Sequence, residues 1–159
     1  MKKSGIKFGK NVVFVNDLKS FPGETRDDAA IFGLYSVLMT STEPYIVVLS
    51  SDMPFVRSNV IDILSKKIDE SPDAIVPQWE NGYLEPTLAI YKSEVTRAVV
   101  KSLLSQKKYQ LVEMIKGLKR VTYVPVESLK SVDPELLCLV NINTERDLDS
   151  ARKKHLAII

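Results

Sequence analysis

Short runs of β-branched and aliphatic residues alternate along this chain with longer stretches of helical period, and that alternation limits it to a sheet flanked by helices. Asn11 to Asn16 (NVVFVN) reads as a first strand, followed by a polar loop broken by Pro22 and Gly23. A helix is expected from Ala29 to Thr40, where Ile31, Leu34, Tyr35 and Leu38 form one apolar stripe. Tyr45 to Leu49 (YIVVL) is an uninterrupted apolar run, as expected of a central parallel strand covered on both faces. Ser58 to Ile68 has helical spacing through Val60, Ile61, Leu64 and Ile68, and Ser71-Pro72 stops it. Two strands, Ala74 to Pro77 and Thr87 to Tyr91, flank a loop whose turn signal is Asn81-Gly82. Ser93 to Leu104 is a helix with Ser93 as its cap and Val95, Val99 and Leu103 on one face, and a shorter helix spans Leu111 to Leu118. Val121 to Val126 is expected at a sheet edge, because Pro125 has no N–H to give to a ladder. Leu137 to Ile142 reads as a last strand, and Thr144 caps a final helix running to about His155.

At 159 residues the chain is expected to be one domain over 1–159, since domains usually run ~100 to 200 residues. With 45% hydrophobic and 26% charged residues it can bury a core, which excludes disordered and fibrous classes. A net charge of +2 gives no basic footprint for nucleic acid, and no apolar run reaches the ~18 residues that span a bilayer. Cys138 is the only cysteine and His155 the only histidine, so no internal disulfide or cysteine–histidine zinc site is available, and a reduced, cytoplasmic setting is expected. Chemistry then falls to carboxylates, amides, hydroxyls, Lys or Arg, with a hard, oxygen-liganded ion such as Mg²⁺.

Four constellations carry such groups. Ser50-Ser51-Asp52-Met53-Pro54 leaves the carboxyl end of the most apolar strand, where α/β sheets bind ligands; Asp52 there suits a metal or the capping of a turn equally. Asn141 and Asn143 alternate with Val140 and Ile142, so both amides share one face, suited to a hard cation, a ribose or plain turn chemistry. The loop NGYLEPT offers Asn81, Tyr83, Glu85, Pro86 and Thr87, with Pro86 forcing Glu85 into extended backbone, either to present fixed polar groups to an acceptor or as a plain hairpin connection with an exposed Tyr. Asp17 lies just beyond the first strand, where solvation of a loop is its ordinary role.

In their order and spacing VVLSSDMPFV, DAIVPQWENGYLEPTLAIYKSE and LVNINTERDL resemble the MobA-like molybdenum cofactor guanylyltransferases of the NTP transferases related to sugar-nucleotide transferases, over about Val12 to Arg152. The resemblance implies a Rossmann-like, mostly parallel sheet flanked by helices. It also implies transfer of GMP from Mg·GTP to molybdopterin, with release of pyrophosphate. Asp52 is implied as magnesium ligand beside the nucleotide, Asp17 as a nucleotide-binding carboxylate, and Asn143 as a second site and metal position. Asn141, Asn81, Tyr83, Glu85, Pro86 and Thr87 are implied on the acceptor side. The family's glycine-rich LAGG…RMG…K phosphate loop has no counterpart, and of its GPLAG segment only Gly33 is kept, in AAIFG. The expectation is therefore a domain shortened at its N-terminus by the first strand–loop–helix unit, completed by a second chain or by self-association. The alternatives are a non-catalytic nucleotide- or molybdopterin-binding relative, or a transferase of other base or acceptor specificity.

Overall fold

The computed structural model describes residues 30–156, with side chains described to residue 150. The strand expected at 11–16 lies outside the described residues. Helix α1 (Ala30–Thr40) leads to β1 (Tyr45–Leu49), α2 (Ser58–Ser65), a 3₁₀ turn (Ile68–Glu70), β2 (Ala74–Gln78), β3 (Leu88–Lys92) and α3 (Ser93–Ser105). Then come α4 (Leu111–Gly117), β4 (Val121–Pro125), α5 (Val126–Leu129), a second 3₁₀ turn (Leu137–Leu139) and α6 (Glu145–Leu156).

The four described strands form one sheet in the order β1-β3-β2-β4. β3 is antiparallel to both β1 and β2, whereas β2 and β4 are parallel. Three strands therefore run one way, and β3 is inserted between two of them in the opposite sense. The carboxyl ends of β1, β2 and β4 and the start of β3 consequently share one end of the sheet.

Period-two alternation divides the core into two layers. Ala74, Val76, Ala89 and Tyr91 face α1, α3 and α4 and pack with Ile31, Leu38, Val100 and Met114. Ile75, Leu88 and Ile90 face the other way, onto Val60, Leu64, Leu129 and Cys138. Arg97 of α3 ties the first layer together: its Nε–H donates to the carbonyl of Leu38 at 2.7 Å, and its Nη2 to that of Ser41 at 3.3 Å, satisfying carbonyls that the end of α1 leaves open.

Asp73, which enters β2, is buried, and its Oδ2 accepts the backbone N–H groups of Lys119 (3.1 Å) and Arg120 (3.0 Å). That carboxylate sets the register of β4 beside β2. In keeping with the Pro125 argument, β4 stands at one end of the order of the described strands.

Four expectations are corrected. β1 is not covered on both faces, since Val47 and Leu49 are 46% and 48% exposed; among the described residues it pairs only with β3, antiparallel to it. An apolar run shows that a strand can be buried on both faces, not that the cover is present. The buried stripe of α3 is Ser93, Thr96, Val100 and Leu104, one position away from Val95, Val99 and Leu103, which flank it half-buried. Ser93 is not its cap; the Ser93 hydroxyl donates to the carbonyl of Glu43 and anchors the helix to the loop before β1.

The fourth correction concerns Leu137–Ile142, which is a 3₁₀ turn followed by extended chain rather than a strand. Leu136 enters it in the left-handed region (φ 50°), and the N–H of Cys138 donates to Asp133 Oδ2 at 2.7 Å. A side-chain carboxylate thus takes the donor that a ladder would need. Thr144 does cap α6: its Oγ1 accepts the Asp147 N–H, while Asp147 Oδ2 accepts the N–H groups of Thr144 (2.8 Å) and Asn143 (3.1 Å).

Candidate functional site

The shared end of the sheet gathers three of the four constellations. β1 ends at Leu49, and the chain turns with the Met53 N–H donating to the Ser50 carbonyl at 3.3 Å. Met53 is buried against Val60 and Leu64, which fixes the turn from below and leaves Asp52 half-buried above it. Asp52 Oδ1 is fully shielded from solvent and has no hydrogen-bond partner among the described residues. Buried polar atoms are nearly always satisfied, so a shielded carboxylate oxygen without a donor is what a hard cation would complete.

Two other segments are fastened to this turn through the backbone. The N–H of Ile142 donates to the carbonyl of Asp52 at 2.8 Å, which places Asn141 and Asn143 on either side of a residue bonded to Asp52. Both asparagines are exposed and Ile142 is half-buried, as alternation along extended chain requires. The N–H of Ser50 donates to the carbonyl of Thr87 at 3.0 Å and brings the end of the NGYLEPT loop beside the same turn.

That loop is built as a hairpin closure. Gly82 sits at φ 84°, a left-handed position that a Cβ would strain, and its N–H donates to the Trp79 carbonyl at 2.8 Å. Asn81 Oδ1 accepts the Tyr83 N–H at 3.0 Å, so Asn81 holds the turn, and Tyr83 stands 72% exposed. Glu85 is half-buried; its Oε1 accepts the indole N–H of Trp79 at 2.7 Å, and its own N–H donates to Pro77. The carbonyl of Pro86 accepts the Tyr91 hydroxyl at 2.7 Å, and burial raises the pKa of that phenol. Burial pushes the Cys138 thiol up to about 12, aided by Asp133 and, less, by the charge of Glu85, so this thiol stays protonated and inert.

A cavity of about 300 Å³ runs between α1 and β1, walled by Gly33, Val37, Ile46 and Val48 and reaching Ser50 and Thr87. A second, open one of about 360 Å³ is lined by Trp79, Glu80, Asn81 and Glu127. Among the described residues no group of three or more His, Cys, Asp or Glu side chains is gathered for a metal, and no helix is long and apolar enough to cross a membrane. An ion held here would rely on Asp52, an amide oxygen such as that of Asn143, and oxygens of its substrate.

The structure thus brings together Asp52, the Asn141–Asn143 segment and Thr87, with Asn81, Tyr83, Glu85 and Pro86 on the adjoining loop; Asp17 lies outside the described residues. Trp79 and Asp147 are new. The Thr-x-x-Asp spacing of a capping box could have exposed Asp147, whereas nothing in local pattern marks the indole of Trp79 as a partner of Glu85.

A mixed sheet with its polar groups gathered at one end defines an α/β domain of the kind that binds ligands outside its strand ends. Residues 11–121 match the family described as the MobA-like NTP transferase domain, and the chain belongs to that family. A probable molybdenum cofactor guanylyltransferase of Methanosarcina acetivorans is 33% identical over 129 residues, covering 80% of this chain and 56% of that protein. The crystal structure of molybdopterin-guanine dinucleotide biosynthesis protein A from Archaeoglobus fulgidus superposes with a TM-score of 0.70 at 31% identity, over 81% of this chain and 64% of that one. The 2-C-methyl-D-erythritol 4-phosphate cytidylyltransferase of Thermus thermophilus shares the fold, with a TM-score of 0.59 at 15% identity over 87% of this chain and 79% of that one. The chain spans a little over half the length of the first two relatives.

Proposed function

We propose that this chain is a guanylyltransferase domain that moves GMP from Mg·GTP to the terminal phosphate of molybdopterin cofactor in the cytoplasm. An acceptor phosphate oxygen bonds to the α-phosphorus of GTP, the α–β phosphoanhydride P–O bond breaks, and pyrophosphate leaves. The observation that carries the reading is the shielded, unpartnered Oδ1 of Asp52 at the end of the sheet where three polar segments meet.

Asp52 and the amide oxygen of Asn143 hold the cation. Mg²⁺, when bound, supplies charge neutralisation to phosphate oxygens, and such transfer asks the protein mainly for positioning and electrostatics. Asp17 serves the nucleotide. Asn141 and the loop of Asn81, Tyr83, Glu85, Pro86 and Thr87 orient the acceptor. The absence of catalytic histidine or cysteine costs this chemistry nothing, since the acceptor phosphate is already an anionic nucleophile.

Titration calorimetry with GTP in the presence and absence of Mg²⁺ tests the reading. Wild-type protein should release metal-dependent heat, and Asp52→Ala should abolish that part. No heat up to millimolar GTP would remove the transferase reading and leave a non-catalytic member of the family.

A further inference from the structure

Trp79 is the only tryptophan of the chain, and it stands at the first position after β2. Its backbone closes the hairpin, with its N–H donating to Tyr83 and its carbonyl accepting from Gly82, both at 2.8 Å. The indole N–H is not used for that closure. It reaches across the loop to Glu85 Oε1 at 2.7 Å, a charge-assisted bond of the stronger class. The backbone of Glu85 is separately fixed, by its N–H to Pro77 (3.0 Å) and its carbonyl to Leu88 (3.2 Å). What remains free in Glu85 is its side-chain rotation, and the indole removes that freedom. Glu85 Oε2 takes no partner among the described residues.

A carboxylate pinned by one oxygen offers the other to N–H donors and repels phosphate. An acceptor that carries a phosphate at one end and a pterin ring, with its amino and ring N–H groups, at the other can meet Glu85 only through the ring. Glu80, which lines the open cavity beside Trp79, extends the same preference for donors over anions, while Glu127 there is paired with Lys130 at 3.2 Å.

We infer that Trp79 is a positioning residue that holds Glu85 to accept N–H donors from the pterin ring of the acceptor, and so sets acceptor affinity. The inference rests on the guanylyltransferase reading. Its role differs from hairpin closure, because the turn is already closed by backbone bonds that a phenylalanine at position 79 would keep.

Steady-state GMP transfer from Mg·GTP to molybdopterin should be measured for wild type, Trp79→Phe, Glu85→Gln and the double variant. Trp79→Phe should raise the molybdopterin KM by roughly tenfold, as expected for loss of a charge-assisted bond, with kcat falling far less and the GTP KM unchanged. The double variant should be no worse than Glu85→Gln alone, since both changes disable one contact. Addition of molybdopterin should also change the Trp79 emission of wild type and leave that of Glu85→Gln less affected. An unchanged molybdopterin KM in Trp79→Phe, or equal losses for both substrates together with a lowered melting temperature, overturns the positioning role while the function stands. Absence of transfer by wild type overturns the function and this inference together.

Discussion

The backbone N–H of Ile142 donates to the carbonyl of Asp52 at 2.8 Å across 90 residues of chain. This one bond joins the turn after the first described strand to the segment before the last helix, and it does so at the backbone. The side chains of Asp52, Asn141 and Asn143 stay available for a ligand because none of them makes the joint.

Asp52 Oδ1 is shielded and has no donor among the described residues, so the carboxylate makes no bond there that the fold would miss. Asp52→Asn should leave the free protein as stable as wild type, or more stable by up to about 1 kcal/mol, while losing Mg²⁺-dependent GTP binding. Thermal melting with and without Mg²⁺·GTP checks both halves: a large drop in the melting temperature of the free variant would mean that the carboxylate is structural.

Asp73→Ala should be among the most damaging single changes. It orphans the N–H groups of Lys119 and Arg120 and releases the start of β4 from β2. Losing the charged acceptor of two N–H groups costs about 1.5–3 kcal/mol, whereas Asp73→Asn keeps an acceptor oxygen and should lose about half as much. Urea titration of both variants decides the ratio.

Cys138 should resist alkylation by iodoacetamide at pH 8 in the folded protein and react readily in urea, because it is fully buried and its thiol is pushed up to about 12. The sign of its pH effect follows. The folded state holds the proton more tightly than the unfolded chain, so its contribution is intact below the ordinary value of 9.0 and is lost as pH rises towards about 12. Comparing wild type with Cys138→Ala over that window isolates the thiol from the lysines and tyrosines.

Asp147 works in the opposite direction. The Thr144 hydroxyl, followed by the N–H groups of Asn143 and Thr144, holds its carboxyl below the usual range. Its support of the Asn143 segment is therefore present above the ordinary carboxylate pKa and is lost as pH falls through the depressed folded value. Amide exchange at Asn143 and Thr144 should accelerate in Asp147→Ala, and in wild type only at acid pH. Equal protection in variant and wild type would show that the cap does not hold this segment.

The strands at 45–49, 74–78, 88–92 and 121–125 were legible in advance because β-branched runs, breakers and Pro125 act locally. Asp52 was legible as a candidate because strand exits are where α/β sheets place ligands; the asparagine pair was picked out by its alternation, which extended chain keeps without a ladder, and Thr87 by its place at the end of the loop before β3. What could not be read was set by how the chain closes on itself in space. The exposure of Val47 and Leu49 depends on what lies against β1, and Leu137–Ile142 lost its ladder to the carboxylate of Asp133. The pairing of Trp79 with Glu85 likewise depends on how a loop closes rather than on the residues it contains.

The outer side of β1 bears on how the protein should be handled. Val47 and Leu49 are about half exposed there, and among the described residues no strand pairs with that side. A strand edge with apolar side chains invites other chains to add to it and aggregate. The chain should therefore self-associate as its concentration rises, and charged substitutions at Val47 or Leu49 should suppress that association in light scattering.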